Sequence, residues 1–122
     1  MTASAYRAGV VTALVAAFLT VWTTIVRDDG TGAAYFMVIL AVGVGWFSAS
    51  FRSEGMTRAM LGVAAMQACL GALVATAPVT ATMPGGVPKA LLFHMVFTAL
   101  WLVSAAFFRV AAKADRTAAV AR

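Results

Sequence analysis

The chain has 122 residues, 63% of them hydrophobic and only 11% charged, against about a quarter charged in a soluble domain. There are too few polar side chains to cover a water-facing surface, so lipid has to cover much of it. The net charge of +5 lies between apolar runs and at the chain ends rather than in one patch, which argues against nucleic-acid binding and for a membrane-topology signal.

In chain order, four runs lack Asp, Glu, Lys and Arg: residues 8–26, 33–51, 59–77 and 90–108. Each is 19 residues long, which as a helix is roughly 28 Å, close to the hydrocarbon thickness of a bilayer. Backbone groups in lipid must be satisfied within the segment, so the runs are expected to be helices. The first is bounded by Arg7 and Arg27, and the second ends at Arg52. The third lies between Arg58 and Pro78, the fourth between Lys89 and Arg109. The first run is longer than the apolar core of a secretory signal, and no small-residue cleavage site with a polar flank follows it, so it reads as a retained span.

The connections 27–32 and 52–58 are short, which predicts antiparallel neighbours. Residues 78–89 carry Pro78, Pro84, Gly85, Gly86 and Pro88 and read as an irregular external loop. Residues 109–122 form a basic, Ala-rich tail that can prolong the fourth helix. The expected architecture is a single all-α domain: four transmembrane helices in an up-down antiparallel bundle.

Basic residues set its orientation. Arg7, Arg52, Arg58, Arg109, Lys113, Arg116 and Arg122 fall on one side, and Arg27 and Lys89 on the other. Seven against two puts both termini in the cytoplasm, with Asp28 and Asp29 outside. Tyr6, Trp46, Phe51, Phe107 and Phe108 would then mark the inner interface, and Trp22, Tyr35 and Phe93 the outer one. Trp101 sits deeper and is expected between helices.

Helices in lipid associate through small residues. Ala64, Ala68 and Ala72, with Gly71 and Ala75 beside them, face the third span's neighbours, and Ala41, Gly45 and Ala49 repeat in the second. These two helices are expected to approach closely. The bulky Phe93, Phe97, Trp101, Phe107 and Phe108 of the fourth suggest a face toward lipid or a partner chain.

Chemistry-bearing residues are few. His94 is the one intramembrane side chain that titrates near neutral pH. It is the candidate cofactor-binding residue, for a proton, haem or metal across an oligomer; the plainer reading is a histidine hydrogen-bonded to a neighbouring helix, lipid or water. Gln67, near the middle of the third span, is the candidate substrate contact; its plainer role is an interhelical hydrogen bond. Thr20, Thr23 and Thr24 can bond their own helix backbone. Met56 and Met60 lie one turn apart, a possible thioether pair for copper but more simply apolar filler. Arg52, Glu54 and Arg58 form a charged loop that suits anionic headgroups or a partner, or simply anchors the chain. Asp28 and Asp29 fall short of a calcium loop. The one cysteine, Cys69, excludes an intrachain disulfide and any several-thiolate metal site within one chain. No G-x-S-x-G, P-loop or H-E-x-x-H is present, so no catalytic residue, metal ligand or cofactor is assigned.

Several segments carry a resemblance: Tyr6-Arg7 leading into Ala16-Ala17-Phe18-Leu19-Thr20-Val21-Trp22, then Leu40-Ala41-Val42-Gly43, Phe51-Arg52 and Gly55-Met56-Thr57-Arg58-Ala59-Met60, and finally Ser104-Ala105-Ala106-Phe107-Phe108-Arg109-Val110-Ala111-Ala112. Over most of its length the chain resembles an uncharacterised family of small four-span bacterial inner-membrane (hypothetical) proteins. The resemblance implies a multi-pass inner-membrane protein and supplies no activity and no site. Members carry an acidic, Asn- and Pro-containing stretch before the second span, where this chain has Arg27-Asp28-Asp29-Gly30-Thr31-Gly32.

The leading functional expectation is a non-catalytic accessory or structural subunit, with a protein partner or a homo-oligomer as its company in the bilayer. The alternatives are a small oligomeric transporter or channel relying on Gln67 and His94, and a haem- or metal-linked protein using His94 across an oligomer.

Overall fold

A computed structural model of the chain describes residues 2–27, 32–82 and 85–121. Among these residues there are four α-helices, α1 (Thr2–Arg27), α2 (Gly32–Ser48), α3 (Ser53–Thr76) and α4 (Gly86–Ala121), and one 3-10 helix, Pro78–Thr82. Three stretches are long and apolar enough to cross a membrane, Ser4–Thr23, Ser53–Thr76 and Gly86–Val120, and α2 supplies a shorter apolar segment, Tyr35–Ser48. The outward side chains include Phe18, Leu40, Phe47 and Leu92, all more than half exposed. An apolar exterior of this kind is stable against lipid and not against water. The protein is a membrane-embedded helical bundle.

The helices run up and down. The start of α1 meets the end of α4, where Tyr6 packs on Phe108 with ring centroids 5.3 Å apart and the Ser104 hydroxyl donates to the Gly9 carbonyl at 2.8 Å. At the opposite end Trp22 and Val26 of α1 share a cleft with Lys89 and Phe93 of α4. The most extensive packing joins α3 to α4, followed by α1 to α4 and then α2 to α3, while α1 and α2 touch less. Arg7, Arg52, Arg58, Arg109, Lys113 and Arg116 gather toward one end, called the basic end below.

Several boundaries differ from the sequence expectation. The second helix ends at Ser48, not at residue 51. Ser50 and Phe51 have φ of 52° and 58°; the Phe51 amide donates to the Trp46 carbonyl and the Ser50 amide to that of Phe47. This is a Schellman stop with serine in the left-handed position that glycine usually fills, so the usual sequence signal is missing. The Tyr6 hydroxyl donates to the Phe51 carbonyl at 2.8 Å and ties α1 to this turn. Residues 53–58, expected in a link, are the first turns of α3, where Glu54 and Arg58 pair at 3.4 Å. At its other end α3 stops at Thr76, because Ala77 precedes Pro78 and is extended. The Thr80 hydroxyl then donates to the Val74 carbonyl.

The expected loop 78–89 is more ordered than its composition suggests. It holds the 3-10 turn, and α4 already begins at Gly86, with Gly85 and Gly86 at φ of 83° and 56°. Pro88 sits in the first turn of α4, where its missing amide hydrogen costs no helical bond. The tail is helical through Ala121. Asp28, Asp29 and Pro84 lie outside the described residues.

Packing corrects two further expectations. The bulky face of α4 points inward: Trp101 and Phe108 are fully buried and Phe97 nearly so, although Phe107 stays outside. Helices α2 and α3 do approach closely, and the α2 side uses Gly45 and Ala49 as expected. The α3 side uses Gly55 and Ala59, however, whereas Ala68 and Ala72 are exposed. A Cβ added at Gly45 would lie 2.9 Å from the Ala59 methyl, and one at Gly55 would lie 2.6 Å from that of Ala49. Met56 and Met60 are fully buried in the same core. Phe51 is an exposed aromatic at the basic end, while Tyr6 and Trp46 are half-buried around Phe108.

Two outcomes follow for folding measured by denaturant titration in detergent. Gly45→Leu should destabilise the bundle by about 1–3 kcal/mol through overpacking, and Gly43→Leu, which has open space around it, should cost much less. Ser50→Gly should stabilise by about 1 kcal/mol by relieving the left-handed residue.

Candidate functional site

Four polar side chains of the spans meet in one place. On α4 the buried residues His94, Phe97, Trp101, Ser104, Phe108 and Ala111 recur at alternating intervals of three and four, the spacing of a continuous inward stripe. His94 and Trp101 lie two turns apart on it, and Gln67 of α3 reaches between them. The Trp101 indole donates to Gln67 Oε1 at 3.3 Å, and Gln67 Nε2 is 2.8 Å from His94 Nδ1. Tyr35 of α2 closes the other side, with its hydroxyl 2.9 Å from His94 Nε2. All four are buried, Gln67 at 1% and His94 at 4% exposure.

The direction of these bonds follows from one group. An indole nitrogen can only donate, so the Gln67 atom facing Trp101 is the carbonyl oxygen and the amide nitrogen faces His94. That nitrogen donates to Nδ1, which must therefore carry a lone pair. The hydrogen of the neutral imidazole sits on Nε2 and is donated to the Tyr35 oxygen. The chain of donation runs Trp101 to Gln67 to His94 to Tyr35, across α4, α3 and α2.

Packing holds the rings in place. Tyr35 stacks on His94 with centroids 5.6 Å apart and planes at 26°. Phe93 meets both rings edge-on and contacts Phe97 at 4.5 Å. Gly71 makes room for the histidine, since a Cβ there would lie 2.8 Å from that of His94. The hydroxyls of Thr20 and Thr23 return to carbonyls of their own helix.

The two sequence candidates, His94 and Gln67, are thus hydrogen-bonded to one another. Their partners are not evident from the sequence: Tyr35, expected at the outer interface, is 2% exposed, and Trp101, expected between helices, also carries a hydrogen bond. One signal was present. Tyr35 and His94 fall within about one turn of the starts of runs 33–51 and 90–108, which run in the same direction, so the two share a depth.

Among the described residues, clefts at both ends of the bundle are lined by side chains outside this network. One, of about 230 Å³, is lined by Trp22, Val26, Lys89 and Phe93. The other, of about 360 Å³, lies at the basic end between the start of α3 and the extension of α4.

Compared with protein-family models, curated proteins and solved structures, the chain matches none of them.

A double-mutant cycle tests the network. Gln67→Leu combined with Trp101→Phe should return a coupling on the order of 0.6 kcal/mol, the average for interhelical hydrogen bonds in membranes. Strictly additive effects would mean the bond contributes nothing.

Proposed function

We propose that this chain is a small, non-catalytic accessory or structural subunit of a larger membrane complex. We place it in a bacterial inner membrane as a four-span protein with both ends in the cytoplasm. The observation carrying the functional reading is that four polar side chains within the spans engage one another. Tyr35, His94, Gln67 and Trp101 bind three helices together and leave the bundle's outer face to large apolar side chains. Such a face packs equally well against lipid or another apolar helix.

The orientation is supported by the seven-to-two asymmetry of basic residues. Helix α2 completes the fourth crossing. Its 17 residues span about 25 Å, and a modest mismatch is met by thinning the bilayer or by flanking side chains.

Transport draws less support. A proton route needs groups that accept and release protons in turn, and His94 is followed on its Nδ1 side by a carboxamide and an indole. Haem or metal ligation also draws less support, because both ring nitrogens of His94 lie within hydrogen-bond distance of other side chains.

The test is extraction from the native membrane in a polymer disc, followed by the mass of the intact assembly. The expected result is a stoichiometric complex with at least one other protein. A preparation that is purely monomeric, or purely a homo-oligomer, would overturn the reading.

A further inference from the structure

The cleft of about 360 Å³ at the basic end is lined on one wall by Phe51, Arg52, Ser53 and Glu54 and on the other by Asp115 and Arg116. Its size falls in the range of small-ligand sites. The first wall is the N-terminus of α3, a 24-residue helix whose cap residue, Arg52, makes no side-chain capping bond. The amides of Ser53, Glu54 and Gly55 have no backbone acceptor among the described residues. Amides so placed, with the helix dipole behind them, favour an anion.

Independently, Ser53 is only 8% exposed, and its hydroxyl makes no hydrogen bond among the described residues. The oxygen retains some solvent access, and the residue lines the cleft.

The charges narrow the ligand. The lining holds two guanidiniums, Arg52 and Arg116, and two carboxylates, Glu54 and Asp115, so it is formally neutral. Glu54 has Arg58 at 3.4 Å, whereas Arg52, Arg116 and Asp115 form no ion pair among the described residues. A purely anionic ligand would leave Asp115 opposed. A ligand carrying a phosphate and an ammonium matches both signs.

Depth narrows it further. The α4 wall lies about one to two turns beyond Arg109, which closes the last apolar run. That is roughly 5–15 Å outside the hydrocarbon, within reach of the headgroup layer. The exposed Phe51 adds an apolar group to the lining.

We propose that this cleft binds the headgroup of one phosphatidylethanolamine molecule. The phosphodiester sits on the α3 amides, the Ser53 hydroxyl and the guanidiniums of Arg52 and Arg116. The primary ammonium donates to Asp115.

The experiment uses the intact chain, delipidated in mild detergent and observed by native mass spectrometry. Equimolar dioleoyl phosphatidylethanolamine, phosphatidylcholine and phosphatidylglycerol are added together, and free phosphoethanolamine is added in a separate arm. One phosphatidylethanolamine should be retained about tenfold over the other two, the factor one charge-assisted hydrogen bond supplies. Choline has no N–H to offer Asp115, and glycerol has no cation. The pair Arg52→Gln and Arg116→Gln should abolish retention. Asp115→Asn should keep lipid binding and erase the headgroup preference. All three residues are exposed, and an unchanged helical spectrum checks that each variant folds. Equal retention of the three lipids, or an unchanged preference in Asp115→Asn, would overturn the proposal. So would saturation by free phosphoethanolamine with no lipid retained, which would assign the cleft to a soluble ligand.

Discussion

A carboxamide in the middle of an apolar helix has no water to turn to, and the fold is arranged around that fact. Gln67 needs a donor for its oxygen and an acceptor for its nitrogen, and α4 supplies them two turns apart as Trp101 and His94. Satisfying both fixes the rotation of α4 against α3 and its height along the membrane normal. It also decides which atom of His94 remains for α2. The contact between α3 and α4 is the most extensive among the described residues and includes two of the three side-chain-to-side-chain hydrogen bonds that join one helix to another.

The remaining joints are made differently because they carry no such polar demand. Between α2 and α3 the backbones come close at Gly45 and Gly55, where contact with an opposing methyl replaces hydrogen bonding. Between α1 and α4 a large ring fills the joint: Phe108 receives Tyr6 edge-on, as it does Trp46 of α2, and Ser104 anchors to a backbone carbonyl nearby. Hydrophobic burial gives little preference for one helix pairing over another in lipid. Directional bonds and steric fit therefore have to supply specificity, and each interface uses its own mixture.

Much of this was legible in the residues. Charge-free runs of matching length mark the helices, and Pro78 and Arg109 mark where apolar character stops. The stop of α2 was hidden because Ser50 fills a position that glycine ordinarily announces. The start of α3 is hidden because charge reads as a break, although Glu54 and Arg58 are good helix formers at a favourable spacing. The inward face of α4 was misjudged by size: in lipid, bulk does not distinguish inside from outside. Polarity does, and His94, Trp101 and Ser104 lie on one stripe with Phe97 and Phe108. Half of the network was visible as isolated polar residues, and the bonds between them required three helices to be aligned in depth.

One property of α4 has a mechanical side. Its 36 residues make a rod of about 54 Å, well over the hydrocarbon thickness, with no glycine or proline between Lys89 and Ala121 to act as a joint. The part beyond Arg109 is therefore a stiff lever whose buried arm bears His94 and Trp101. A twist applied at the outer arm is transmitted as torsion to the ring face of His94 rather than absorbed by a hinge. Because Gln67 and Tyr35 hold that face from two sides, the bundle resists the twist as a clamp resists a turning shaft.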